Sequence, residues 1–144
     1  MSIEMLIKGR KKLPLYKALI AIDVSGSVGT DDVKAFLGDI GWLFKRNDAR
    51  VELVTFDDGI TAKYQLKSIH DLEDIKEVIG RGGTSYKAVL DYAVEIEAKE
   101  VIIMTDGYGD QNDCQEPPQS LRVWWISTQK EPKFPFGHAF YLDG

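Results

Sequence analysis

The stretch Ala18-Leu-Ile-Ala-Ile-Asp-Val24 decides the fold, and Ser25-Gly-Ser27 follows it directly. A continuous apolar run that ends in an acidic residue is typical of a strand buried on both faces of a parallel sheet. We therefore expect this stretch to be the central strand. The segment Glu100-Val-Ile-Ile-Met-Thr-Asp106 has the same design, since its apolar run also ends in an aspartate and a glycine turn, and it predicts a second buried strand.

Helical and strand patterns alternate along the rest of the chain. Apolar residues repeat at helical spacing from Thr30 to Phe44 and again over Thr84–Ala98. The other predicted elements are strands at Val51–Phe56, Ile60–Leu66, Leu121–Ser127 and Gly137–Leu142, a turn at Asp57–Gly59 and a short helix at Asp71–Ile79. Strands that alternate with helices predict right-handed crossovers. The fold class is therefore α/β, with a mostly parallel central sheet and helices on both faces.

The composition fits one globular domain of 144 residues, with 44% apolar and 28% charged residues. Residues 1–17 hold five basic residues against one acidic residue, a net charge of +4, and residues 18–144 hold 13 against 22, a net of −9. We divide the chain into a basic N-terminal arm, 1–16, and a domain, 17–144. The acidic domain argues against nucleic acid as a partner, and only the basic arm favours that alternative.

The cysteine content and the hydropathy bound the setting of the protein. The single cysteine, Cys114, excludes an internal disulfide and a Cys-rich zinc site, and it favours a reducing, cytoplasmic compartment. No apolar run approaches the roughly 20 residues that cross a bilayer, so we expect no membrane partner.

Polar side chains follow both buried strands, at the carboxyl ends where open α/β sheets bind their ligands. Alternating polar residues after the first strand can point the same way on an extended turn. A glycine-rich loop before the second long helix lets backbone approach closely. We expect these loops to meet at one edge of the sheet. The candidate metal ligands are Asp23, Ser25, Ser27, Thr84 and Asp106.

The candidate ligands are two carboxylates and three hydroxyls. An oxygen-only set of this kind suits a hard divalent cation, and Mg²⁺ is the expected occupant. Mn²⁺ and Ca²⁺ are alternatives, and Ca²⁺ ranks behind because it usually recruits more carboxylates. Zinc prefers imidazole or thiolate, and neither His70 nor His138 has a partner at ligand spacing.

Over about residues 17–127 the sequence resembles the von Willebrand factor A (VWA) domains and their metal-ion-dependent adhesion site. The order and the approximate spacing of three short strings carry the resemblance. The strings are Asp23-Val-Ser25-Gly-Ser27, Gly82-Gly-Thr84 and Thr105-Asp106-Gly107.

The resemblance implies a role for each candidate ligand. Ser25 and Ser27 would ligate the metal, Thr84 would ligate it directly or through water, and Asp23 and Asp106 would act directly or through water. It also implies a Rossmann-like sheet with one antiparallel edge strand.

Among VWA-like domains, the chain is most similar to the intracellular bacterial and phage domains that accompany predicted metallopeptidases or MoxR-type AAA+ ATPases. It departs from these assemblies because it contains neither a His-Glu-x-x-His motif nor a P-loop lysine motif. The loop after Asp106 runs almost directly into Leu121, so we expect reduced C-terminal helices.

The chemistry of such a site is capture and not turnover. Neutral hydroxyls leave the cation electron-poor, and a carboxylate from a partner protein can replace a water in its open position. We therefore predict a noncatalytic, Mg²⁺-dependent adaptor whose partner offers an acidic side chain, with an AAA+ ATPase among the candidate partners. The alternative is a Mg²⁺-dependent phosphoryl-transfer enzyme with Asp23 as its nucleophile. Ser25 stands where such enzymes carry a second aspartate, so that reading lacks a general acid.

Three features outside the three strings also carry predictions. Asp57 and Asp58 fit a hairpin turn, with secondary metal ligation as the alternative. Trp124 and Trp125 are neighbours in a strand, and we expect both to be buried. The segment Phe134–Phe136 is expected to hold the last connection against the domain.

Overall fold

The structure is a computed structural model that describes residues 18–24, 36, 38, 51–66, 83–106, 114–128 and 134–141. The elements of this part of the chain are β1 (Ala18–Asp23), β2 (Val51–Phe56), β3 (Ile60–Leu66), α1 (Tyr86–Glu95), β4 (Glu100–Thr105), β5 (Arg122–Ser127) and β6 (His138–Tyr141). All six predicted strands are present, and their ends differ from the predicted ends by at most one residue.

The six strands form one sheet in the order β3-β2-β1-β4-β5-β6. Every neighbouring pair is parallel except β2 and β3, which are antiparallel. This confirms the predicted parallel sheet with one antiparallel edge strand. The chain leaves β1 on one side, toward β2, and later returns to β4 on the other side. The boundary between β1 and β4 is therefore the switch point at which ligands bind in open α/β sheets.

The core lies on the faces of the central strands. All six residues of β1 and all six residues of β4 are buried, which confirms that each apolar run is a strand covered on both faces. Helix α1 packs four buried residues against one face of the sheet, which we call the α1 face: Tyr86, Val89, Leu90 and Ala93. Each fully buried apolar side chain contributes about 1.5 to 3 kcal/mol, so this packing is what stabilises the short helix.

Helix α1 is shorter than predicted at both ends. Thr84 was expected to open it, but Ser85 is the N-cap and its Oγ accepts a hydrogen bond from the N–H of Ala88 at 3.4 Å. The N–H of Ser85 donates to the carbonyl of Asp57 at 2.7 Å, which holds Ser85 in an extended conformation. The helix ends at Glu95 and not at Ala98.

Several predicted elements lie outside the described residues. They are the arm 1–16, the helix at Asp71–Ile79 and most of the helix after Thr30. Within that last helix, Phe36 is described and is a buried core residue in helical backbone. In the part of the chain that the structure describes, no helix has the length and apolar character needed to span a membrane.

Trp124 and Trp125 are both fully buried, as predicted, and they lie on opposite faces of the sheet. The Trp125 ring lies on the α1 face, where it stacks on Phe134 with a centroid distance of 4.3 Å and an interplanar angle of 5°. The indole N–H of Trp125 donates to the carbonyl of Phe136 at 2.8 Å. These contacts confirm that the Phe134–Phe136 segment holds the connection between β5 and β6 against the domain.

Gly137, at the end of that connection, is expected to be intolerant of a side chain. Its φ is 78°, and a Cβ would lie 2.7 Å from the carbonyl oxygen of Val123. Gly137→Ala should lower the free energy of unfolding by about 2 kcal/mol, because alanine must adopt the left-handed conformation and displace the β5 backbone. Gly59→Ala is the matched control, since a Cβ there meets no atom within 4 Å. Urea unfolding measures both, and equal midpoints for the two variants would contradict this account.

Tyr92 links α1 to the β2–β3 hairpin. Its hydroxyl donates to Oε2 of Glu52 at 2.7 Å, and Nε2 of Gln65 donates to Oε1 of the same carboxylate at 2.6 Å. The Lys63 Nζ lies 4.4 Å from the centroid of the Tyr92 ring. Burial, the hydrogen bond to Glu52 and the negative charges of Glu52 and Glu95 raise the pKa of Tyr92 to about 12.

The raised pKa of Tyr92 predicts a loss of stability at alkaline pH. The folded-state pKa lies above the value of 10 for an ordinary tyrosine, so the neutral phenol stabilises the fold fully below pH 10. That contribution is lost as the pH rises from 10 through about 12. Tyr92→Phe should therefore show a weaker alkaline decrease in the free energy of unfolding than the wild type. Ultraviolet absorbance titration should also show one fewer late-titrating phenol, and an unchanged titration would refute the assignment.

Candidate metal site

Asp23 and Asp106 lie at the carboxyl ends of two neighbouring strands, β1 and β4. The parallel register pairs Ile22 with Met104, so Asp23 lies at the level of Thr105, and Asp106 is the next residue along the chain. Both aspartates are buried, with exposed fractions of 0% and 4%. The structure thus places both of these carboxylates, which the sequence predicted as site residues, at the switch point of the sheet.

Thr105, the last residue of β4, directly precedes Asp106 and donates a hydrogen bond to Asp23. Its Oγ1 donates to Oδ2 of Asp23 at 2.6 Å, and the hydroxyl oxygen of Tyr86 lies 2.9 Å from the same Oγ1. A threonine hydroxyl carries a single proton, and Thr105 donates that proton to the carboxylate. Tyr86 is therefore the donor in its hydrogen bond to Thr105. We call this chain of hydrogen bonds, from Tyr86 through Thr105 to Asp23, the hydroxyl relay.

Two members of the hydroxyl relay, Thr105 and Tyr86, were not predicted from the sequence as site residues. Thr105 belongs to the string Thr105-Asp106-Gly107, but its hydrogen bond to Asp23 depends on the register between β1 and β4. A strand that ends in Thr-Asp beside a strand that ends in Asp was the available signal. Nothing in the local pattern marks Tyr86, because the position of its hydroxyl depends on where α1 packs.

Thr84 lies in the loop that precedes α1. It is half-buried and comes two residues before Tyr86, whose hydroxyl reaches the ends of β1 and β4 through the hydroxyl relay. This connection places Thr84 at the edge of the sheet where β1 and β4 end.

The turn between β2 and β3 holds this loop in place. The carbonyl of Asp57 accepts the N–H of Ser85, and the N–H of Gly59 donates to Oδ1 of Asp57 at 3.4 Å, as the predicted turn requires. Gly83 approaches the Asp58 carboxylate so closely that a Cβ would lie 2.7 Å from its Oδ1. A side chain at position 83 would displace the exposed Asp58 carboxylate, and glycine leaves room for it.

The donors at this edge are carboxylate and hydroxyl oxygens. Among the described residues there is no group of three or more His, Cys, Asp and Glu side chains that could hold a metal ion. A Mg²⁺ site can instead be built from few carboxylates together with hydroxyls and water, and the donor chemistry of Asp23, Asp106 and Thr84 fits that requirement. Ser25 and Ser27 lie outside the described residues, so their place in the site stays a prediction.

The chain matches a sequence-family model over most of its length. A family model described as a VWA-like domain (DUF2201) matches residues 18–143. No curated protein matches the chain.

Three solved structures share the fold at low sequence identity. The conserved hypothetical protein BatB from Bacteroides thetaiotaomicron is 17% identical, with a TM-score of 0.54 over 76% of this chain and 65% of that one. The ArnB paralog VWA2 from Sulfolobus acidocaldarius is 18% identical, with a TM-score of 0.58 over 76% of this chain and 34% of that one. The structure of the three N-terminal domains of the type V pili tip protein Mfa5 from Porphyromonas gingivalis is 21% identical, with a TM-score of 0.52 over 64% of this chain and 20% of that one. The chain thus spans less than two thirds of each of these proteins.

Proposed function

Because the chain belongs to the family of VWA-like domains (DUF2201), we propose that it is a noncatalytic, Mg²⁺-dependent module that binds a partner protein. The convergence of Asp23, Asp106 and the Thr84 loop at the switch point of the sheet carries this proposal. The oxygen-only chemistry of these donors supports Mg²⁺ over zinc.

The residues proposed to hold the cation are Asp23, Ser25, Ser27, Thr84 and Asp106. When bound, the cation supplies an open coordination position that accepts a carboxylate of the partner. The chain places the two carboxylates at the ends of the neighbouring strands β1 and β4. Both carboxylates are buried, and a divalent cation would offset the cost of burying their negative charges. Mn²⁺ and Ca²⁺ are the alternative occupants.

The charge of the chain supports a metal-dependent interaction with an acidic partner. Residues 18–144 have a net charge of −9, so an acidic partner meets overall repulsion and needs a local positive charge to bind. We propose that the cation supplies this charge, and that binding weakens when the cation is chelated. By resemblance, the partner is an AAA+ ATPase or another component of a cytoplasmic assembly.

The experiment that tests this function uses Mn²⁺ as the metal and acetate as a minimal carboxylate. Mn²⁺ bound to the chain should enhance the relaxation of water protons, and added acetate should reduce the enhancement because it displaces metal-bound water. Asp23→Asn and Asp106→Asn should abolish the enhancement, whereas Asp58→Asn, in the neighbouring turn, should retain it. Metal binding without an acetate effect would overturn carboxylate capture, and an absence of metal binding would overturn the site itself.

The geometry at Asp23 is unfavourable for the phosphoryl-transfer alternative. A nucleophilic carboxylate oxygen must be directed at the phosphorus of its substrate, but Oδ2 of Asp23 accepts a hydrogen bond from the hydroxyl of Thr105. We expect no Mg²⁺-dependent hydrolysis of p-nitrophenyl phosphate. Turnover that is lost in Asp23→Asn would reverse this conclusion.

A further inference from the structure

We propose that Tyr86 is a positioning residue of the metal site, whose hydroxyl orients the carboxylate of Asp23 through Thr105. This inference rests on the proposed function, since it concerns the same cation. It adds two residues to the site, Tyr86 and Thr105, that are not among its predicted ligands.

The hydrogen bonds of the hydroxyl relay run in one direction, from Tyr86 to Asp23. Oδ2 of Asp23 accepts a hydrogen bond from Oγ1 of Thr105, with the two oxygens 2.6 Å apart. The same Oγ1 accepts a hydrogen bond from the hydroxyl oxygen of Tyr86, which lies 2.9 Å away. Both donors are neutral hydroxyls, so the relay ends on the carboxylate without bringing a positive charge near the cation. All three side chains are buried, and a hydrogen bond in such surroundings is stronger than one in water.

The packing of the Tyr86 ring fixes the position of its hydroxyl. Its ring is fully buried and makes edge contacts with Phe56, Trp125 and Phe134, at centroid distances of 6.1, 5.0 and 6.4 Å. Its backbone begins α1 directly after the N-cap Ser85. The ring and the backbone together fix the phenol oxygen, so the relay has a rigid origin.

The aromatic packing of Tyr86 requires a ring at this position but not a hydroxyl. Phenylalanine would fill the same space, and burying a hydroxyl costs free energy unless it is hydrogen-bonded. In this chain the hydroxyl donates to Thr105, which in turn donates a hydrogen bond to Asp23. The contact therefore connects the aromatic packing on the α1 face to the proposed ligand.

The consequence is a carboxylate that is oriented before the cation arrives. Without the relay, the side chain of Asp23 would have to be ordered as the cation binds, and that cost would reduce the affinity. Partners that hydrogen-bond to metal ligands act in this way, and their loss typically weakens metal binding by about 10- to 100-fold.

The test is the dissociation constant of Mn²⁺ for the full chain, measured by electron paramagnetic resonance of the free ion. Tyr86→Phe, which keeps the ring packing, should raise the constant about tenfold, and Thr105→Val should raise it at least as much. Thr105→Ser keeps a hydroxyl and should restore most of the affinity. In the Thr105→Val background, Tyr86→Phe should have no further effect, because the relay is already broken.

Tyr92→Phe is the matched control. It removes a tyrosine hydroxyl that also donates toward a carboxylate, on the same helix, but at Glu52 and outside the relay. It should leave the Mn²⁺ constant unchanged, and an equal loss in this variant would attribute the effect to a weakened helix and overturn the inference. Wild-type affinity in Tyr86→Phe, or additive effects in the double variant, would overturn it as well. If the wild type binds no Mn²⁺, the proposed function and this inference both fall, whereas each of the other negative results removes only the inference.

Discussion

Mg²⁺ is expected to raise the melting temperature of the wild-type chain and to leave that of Asp23→Asn and Asp106→Asn unchanged. A ligand at ten times its dissociation constant stabilises the native state by about 1.4 kcal/mol. For a domain of this size, that free energy corresponds to a shift of about 5 °C. The two substitutions keep the shape of each side chain but remove a negative charge, so the loss of the shift reports loss of the cation. Differential scanning calorimetry over a Mg²⁺ titration measures the effect.

Two controls separate cation binding from other effects of Mg²⁺. Sodium chloride at matched ionic strength accounts for screening of the acidic surface, and it should produce a smaller shift without saturation. Asp58→Asn changes an exposed carboxylate in the neighbouring turn and should respond to Mg²⁺ as the wild type does. A full Mg²⁺ shift in Asp23→Asn would show that the cation binds elsewhere.

Trp125→Ala should lower the free energy of unfolding by about 4 kcal/mol, a large share of the stability of an ordinary domain. The substitution removes a fully buried ring that stacks on Phe134 and meets the edge of Tyr86. It also leaves the carbonyl of Phe136 without its indole donor. Urea unfolding followed by far-ultraviolet circular dichroism gives the free energy.

A second pair of variants sharpens this measurement. Trp125→Phe keeps an aromatic ring for stacking and should lose only about half as much stability, because the cavity is smaller. Val94→Ala, on the outer side of α1 where Val94 is 47% exposed, should change stability by less than about 0.5 kcal/mol. A loss below about 1 kcal/mol in Trp125→Ala would mean that the connection before β6 does not pack on the sheet as described.

The strands were predictable because their signal is local. The apolar runs of β1 and β4 are too continuous for a sheet face exposed to water, and both are buried at every position. The start of α1 was less predictable because Thr84 and Ser85 are both good caps. A hydrogen bond from Ser85 to Asp57, far apart in sequence, decides between them.

The arrangement of the candidate metal site was also predictable only in part. Asp23 and Asp106 were predictable because the carboxyl ends of neighbouring parallel strands share an edge. The hydroxyl relay was not, because it needs both the β1–β4 register and the position at which α1 packs. Ser25 and Ser27 stay predictions, and so does the cation that all of these residues are proposed to bind.

The central position of β1 also has a consequence for biosynthesis. Asp23 and Thr105, which are hydrogen-bonded, are 82 residues apart, and β1 lies between β2 and β4, which are both made after it. At a synthesis rate of 5 to 20 residues per second, roughly 4 to 16 s separate the two ends of this contact on the ribosome. During that time β1, the most apolar of the described strands, has left the peptidyl transferase centre before its β4 neighbour has been synthesised. The nascent chain should therefore depend on chaperones that shield extended apolar segments, and its folding should be slow for its length.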